Sequence, residues 1–144
     1  MTAQTEDRPT PRREGVISEH PVKSGELIYA GSIVSIDSDG FAVSGTATVG
    51  DIVLGCAQNR VDNLSSAHPN PGPVKVHRGI HLFHVDGTAI TAKDIHATVY
   101  VVDDQTVSLA DRATGGTAAT RPAAGVVFDE GGTTEVWVQF LIAD

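Results

Sequence analysis

Short β-branched and aromatic runs, each closed off by a cluster of turn-forming residues, constrain this chain more than any other feature. From Gly15 onward the apolar runs are Val16–Ser18, Leu27–Ile36, Phe41–Ser44, Ile52–Arg60, Val74–Val85, Thr98–Asp103, Thr106–Leu109, Gly125–Asp129 and Glu135–Ile142. Between them lie Ser38-Asp39-Gly40, the proline-rich stretch 67–73, Asp86-Gly87, Asp103-Asp104, Gly115-Gly116 and Glu130-Gly131-Gly132. These supply the residue types that tight turns need. Runs of this length and spacing read as strands, and many of them in succession predict a mostly β protein, a small β-barrel or β-sandwich with little helix.

Alternation within the runs gives them faces. In the last run Val136, Val138, Phe140 and Ile142 fall on one side, and Trp137, Gln139 and Leu141 on the other. A strand apolar on both sides is either central in its sheet or half-covered by another subunit. Thr98–Asp103 has the same two-sided character and reads as a central strand. The helical exception is the turn Thr91–His96, where Thr91 can cap and Asp94 can reach back. A weak internal echo also runs through the chain. Ile33–Asp37 resembles Val99–Asp103, Phe41–Val43 resembles the run from Thr106, and Ile52–Ala57 resembles Pro122–Val127. Either a duplicated hairpin unit or two similar meanders would produce it.

Residues 1–14 differ from the rest. They contain no Ile, Leu, Val or aromatic residue, and Arg8, Arg12 and Arg13 balance Glu6, Asp7 and Glu14. Such a segment cannot bury enough apolar area to offset its ordering entropy, so it reads as a flexible arm ahead of a single β-rich domain over 15–144. The net charge of −8 therefore belongs to the domain. Phosphate neutralisation needs clustered Lys and Arg, so direct nucleic-acid binding is not expected. No run approaches the ~20 apolar residues that span a bilayer, and the first residues lack a secretory h-region. With a single cysteine, Cys56, no internal disulfide can form, and the expectation is a chain made in the cytoplasm with no membrane partner.

Motifs for chemistry are scarce. His77, His81 and His84 cluster, but on one continuous strand His77 and His81 would stand about 13 Å apart, with His84 on the opposite face. That segment alone cannot gather ligands around one zinc ion, so no metal site is expected, although one shared between subunits stays open. Asp37-Ser38-Asp39-Gly40 resembles the start of a calcium loop, yet Thr48 stands where the closing Glu belongs, and a turn is the better reading. Cys56 lies in an apolar run and reads as an inert buried thiol. Asp103 and Asp104 point to opposite faces of a strand end, which makes a poor acid–base pair. There is no nucleophile elbow and no phosphate loop, and the Gly/Thr/Ala stretch 115–120 lacks a lysine. No catalytic residue and no cofactor is expected, and the chain reads as a non-enzyme.

The order of the strands has a familiar texture. Lys23–Ile28 leads into a strand pair, and Val74–Val85 follows a long turn. Then come Val99–Ser108, a Gly/Thr/Ala loop, Ala123–Val127 and Val136–Gln139. This resembles the capsid decoration, or cement, proteins of tailed bacteriophages, over about residues 15–142. The resemblance implies a homotrimer that binds the major capsid protein on the outer surface of an expanded head, after synthesis in the bacterial host. A ligand that binds only the expanded shell stabilises it by RT ln(1 + [L]/Kd) per site, and a trimer adds avidity. Under that reading the arm, with Arg8, Pro9, Pro11, Arg12 and Arg13, would order along the capsid, although a frayed terminus without a role explains it equally well. Trp137, Gln139 and Leu141 would lie at a subunit interface. Another virion module (tail, fibre or adaptor) and a small His-dependent metal enzyme are the alternatives.

Overall fold

The computed structural model describes residues 17–65, 72–111 and 120–140. The arm residues Arg8, Pro9, Pro11, Arg12 and Arg13, the loop 115–119 and Leu141 lie outside the described residues.

The mostly β expectation holds. Among the described residues twelve strands run in the order β1 (Ile17–His20), β2 (Leu27–Ile28), β3 (Ile33–Ile36), β4 (Ala42–Ser44), β5 (Ile52–Ala57), β6 (Val61–Asp62), β7 (Val74–His77), β8 (Ile80–Val85), β9 (Thr98–Asp103), β10 (Thr106–Ser108), β11 (Ala123–Glu130) and β12 (Glu135–Phe140). Between β8 and β9 lies one 3-10 turn, Ala92–Asp94, and the Thr91 N–H donates to the Asp94 carboxylate at 3.0 Å as the sequence suggested. No helix among the described residues is long and apolar enough to cross a membrane.

Two predicted strands are each broken in two. Leu27–Ile36 divides at Gly31, whose φ of +88° suits glycine and not the β-branched residues around it. Val74–Val85 divides at Arg78-Gly79, and this break matters more because β7 and β8 enter different sheets. The His77 ring lies over Gly79, where a Cβ would have to displace it.

The strands form two five-stranded units and a small β2–β6 ladder. In the C-terminal half, β10-β8-β12-β11-β9 close into a barrel, with β8 and β10 parallel and the other neighbours antiparallel. In the N-terminal half the order is β1-β7-β5-β3-β4. The continuation of β1 then crosses to the far edge, where Val22 forms a parallel bridge with Ala42. Lys23 N–H donates to Ala42 O at 3.0 Å, and Ala42 N–H donates to Pro21 O at 2.8 Å. That single bridge brings the two edges of the sheet together, so the sheet curls into a first barrel that this one bridge joins.

The two barrels are the same structure drawn twice. Each first strand is antiparallel to its last strand and then parallel to its third, and each second strand pairs with the third and fourth. The register agrees residue by residue. Ile17↔His77, Ser18↔Val76, Glu19↔Lys75 and His20↔Val74 in the first barrel match Ile80↔Gln139, His81↔Val138, Leu82↔Trp137 and Phe83↔Val136 in the second. Both barrels carry a bulge beside a glycine, Gly55 opposite Val34 and Gly125 opposite Val99. A Cβ on either glycine would meet the backbone of the next strand, at His77 or Gln139, which again are equivalent positions.

The cores match as well. Val22, Val34, Ile36, Ala42, Leu54, Ala57, Val74 and Val76 fill the first barrel. Val85, Val99, Val101, Val107, Ala124, Val127, Val136 and Val138 stand at the corresponding places in the second. The echo seen in the sequence is thus a duplicated barrel topology. One segment of it is slipped by a residue. Similarity pairs Ile33 with Val99, whereas the ladders pair Val34 with Val99, and a one-residue slip exchanges the two faces of a strand.

The first half also contributes to the core of the second. Ile33 and Cys56 face away from their own barrel and join the core of the second. Ile33 N–H donates to Asp104 O at 2.7 Å, and Ser44 Oγ donates to Asp104 Oδ2 at 3.3 Å.

Candidate interaction surface

The strongest candidate site is the outer face of the second barrel. β12 is central between β8 and β11. Its inward residues Val136, Val138 and Phe140 are buried, while Trp137 and Gln139 point outward and are exposed. The two-sided strand read from the sequence is therefore covered on one side. Across the ladders Trp137 lies opposite Leu82, and Gln139 lies opposite Ile80 and Val126. On its other side Trp137 lies opposite the exposed Asp129, and Phe128 is exposed at the β11 bulge, so Ile80, Leu82 and Trp137 are exposed apolar residues of this face beside one carboxylate. Trp137 and Leu82 are each 40% exposed.

The duplicated barrel provides an internal control. At the positions of Leu82 and Trp137 the first barrel carries Glu19 and Lys75, both exposed and directly opposed. One backbone thus presents a cross-strand pair of opposite charges in one copy and an apolar pair in the other. Exposed single apolar residues are ordinary, but a contiguous face built from them marks a contact surface. Trp137 and Gln139 were legible as sharing one face of the last strand. Leu82, Ile80 and Phe128 were not joined to them because strand pairing is invisible in the sequence, although the alternation in Ile80–Val85 carried the signal.

The histidines differ from expectation. His77 and His81 are not about 13 Å apart. The turn at Arg78-Gly79 brings His77 Nδ1 to 2.8 Å from His81 Nε2, with the rings edge to face at 5.0 Å. Burial, then the neighbouring His77, lowers the pKa of His81, which also packs near Phe83 and Phe140. His84 is elsewhere, with Nδ1 3.9 Å from Glu135 Oε1. Among the described residues no three His, Cys, Asp or Glu side chains are grouped so as to hold a metal ion.

The remaining polar features are structural. Asp37 Oδ1 accepts from the Asp39 and Phe41 N–H groups, and Lys23 Nζ lies 2.6 Å from Asp37 Oδ2, so Asp37-Ser38-Asp39-Gly40 is a pinned turn. Asp103 caps its own turn through Gln105 N–H at 2.9 Å, while Asp104 ties the two halves together. Cys56 is buried, and burial pushes its thiol up to about 11, which keeps it protonated and unreactive near neutral pH. Arg121 is buried, donating to Ala110 O at 3.0 Å. No protein-family model, no curated protein and no solved structure matches this chain.

Proposed function

We propose that this protein acts by binding, as a decoration protein on the outer surface of a tailed-phage head, and that the apolar face of the second barrel anchors it there. The observation that carries the reading is the replacement of an exposed charged pair, Glu19–Lys75, by an exposed apolar pair, Leu82–Trp137, on an otherwise repeated barrel. An exposed tryptophan paired with an exposed leucine across the ladder has the composition of a binding hot spot. The net charge of −8 keeps the remaining surface soluble and disfavours packaged DNA as a partner. In this role the major capsid protein is the partner, the protein self-associates as a homotrimer, and the segment 1–14 adds a second, weaker contact.

Cryo-electron microscopy of particles made with and without the protein tests the role. Density on the outside of the head that vanishes with the protein is the expected result. Density at the tail or its fibres would instead assign it to another virion module. A co-sedimentation assay with expanded shells tests the surface: Trp137→Lys combined with Leu82→Glu should abolish binding. Unchanged binding would remove this face from the proposal. Deleting residues 1–14 should weaken binding and leave the fold intact.

A further inference from the structure

The two barrels of one chain meet in a single internal contact. It has two sides. One is the outer face of the first barrel: Ile33 and Cys56 point away from their own core, yet are 0% and 5% exposed. The other is the end of the second barrel that covers them. Asp104 O accepts from Ile33 N–H at that end, and His81 Nε2 meets His77 Nδ1 at 2.8 Å.

The repeat places a second copy of each side on the same chain. The equivalents of Ile33, Cys56 and His77 are Thr98, Val126 and Gln139, on the outer face of the second barrel, where Gln139 is exposed and Thr98 and Val126 are partly so. The equivalents of His81 and Phe140 are Ser18 and Arg78, at the open end of the first barrel. Ile17, Phe41 and Ile52 also lie at that end, 50%, 42% and 62% exposed. The chain therefore carries both halves of a contact it already makes once internally.

We propose that copies of this chain join head to tail, with the Val126–Gln139 face of one copy seated on the Ser18 end of the next. The inference deepens the self-association in the proposed function and rests on it. It also specifies the kind of association. The two surfaces differ, so the contact is heterologous, and such contacts close into rings or run on as filaments; they do not make two-fold dimers. Gln139 of one copy comes beside Ile17 of the next, as His77 and Ile80 are joined through Arg78-Gly79 inside the chain. Lys75, the equivalent of Trp137, stays exposed beside the internal contact. Trp137 and Leu82 are thereby left outside the joint and free for the shell.

The test is cross-linking in solution. The intact protein carrying Ser18→Cys and Gln139→Cys is treated with a short bismaleimide, with Cys56 left in its buried place. Covalent multimers should form from the double variant, while each single variant and the parent protein stay uncross-linked. Linking by Gln139→Cys alone would show a two-fold contact and overturn the proposal, as would no multimer from the folded double variant. Independently, light scattering should give a multimer for the parent protein and a monomer for Gln139→Arg. A parent that is monomeric at high concentration overturns the contact. Because no shell is present in either measurement, a protein that multimerises but ignores shells loses only the shell role. One that binds shells as a monomer loses only this joint.

Discussion

The two barrels share one chain path and diverge wherever that path does not dictate the residue. Inside, the pairs Val22 and Val85, Val34 and Val99, Val74 and Val136, and Val76 and Val138 keep residue type as well as position. At the shared end of each interior they part. The second barrel has Phe83 and Phe140, edge to face with centroids 5.7 Å apart. The first has His20 and Arg78 at those places, and burial, then the Arg78 charge, lowers the His20 pKa. Outside, Glu19–Lys75 faces Leu82–Trp137 across the comparison. The shared positions are those that close and fill a barrel. The divergent ones include the positions proposed for a joint and for a partner, so comparing the two copies separates what closes a barrel from what does not.

The largest test of that separation is in the core. Phe140→Ala should lower the unfolding free energy by about 3–5 kcal/mol, because it empties a packed aromatic position. Arg78→Ala, at the equivalent place, should cost a third of that or less. Equal losses in denaturant titrations would mean that the two ends are not built differently. The two glycines should behave alike: Gly55→Ala and Gly125→Ala each push a methyl into a neighbouring strand's backbone and should each cost about 1–3 kcal/mol. A harmless Gly125→Ala beside a damaging Gly55→Ala would break the equivalence of the bulges.

Acid should act at the junction and the first barrel. Burial holds the folded pKa values of both His81 and His20 below that of a free imidazole. Between the folded and unfolded values the unfolded chain binds more protons, so stability falls as pH drops below about 6.5 and levels off once the folded pKa is passed. Thermal melts across this range should show that slope, and His81→Gln should flatten it while costing about 0.5–1.5 kcal/mol at neutral pH for the lost imidazole contact. A melt midpoint independent of pH between 7 and the low edge of that window would remove the histidines from the account. The smallest change in stability is expected from Trp137→Lys with Leu82→Glu, which writes the first barrel's outer pair onto the second. It should stay within roughly 1 kcal/mol of the parent, since opposed charges are tolerated across a ladder. A large loss would show the apolar pair to be structural.

Much of the fold was legible because strand-forming residues alternate with turn residues over most of the chain. That Trp137 and Gln139 share one face of the last strand followed from a period of two, and the buried Cys56 followed from its apolar neighbours. The histidine geometry was not legible. Val74–Val85 reads as one continuous strand, and only Gly79, which leaves room for the His77 ring, marks the break that sends β7 and β8 into separate barrels. Leu27–Ile36 misleads in the same way, since its single Gly31 is a weak signal among β-branched neighbours. The repeat was half-legible. Its strands resemble one another locally, but pairing by similarity put Ile33 on Val99 and exchanged the faces of β3.

By itself the sequence determined the class of structure, the faces of its longest strands and the absence of a local motif for catalysis, because these depend on residue type and near-neighbour spacing. Tertiary structure alone decided that the strands close twice, that Ile33 and Cys56 serve the other barrel's core, and that Trp137 meets Leu82 on an open face. Those facts depend on register between segments far apart in the chain. A register is set by the summed packing of a whole barrel, and no short stretch of sequence contains that sum.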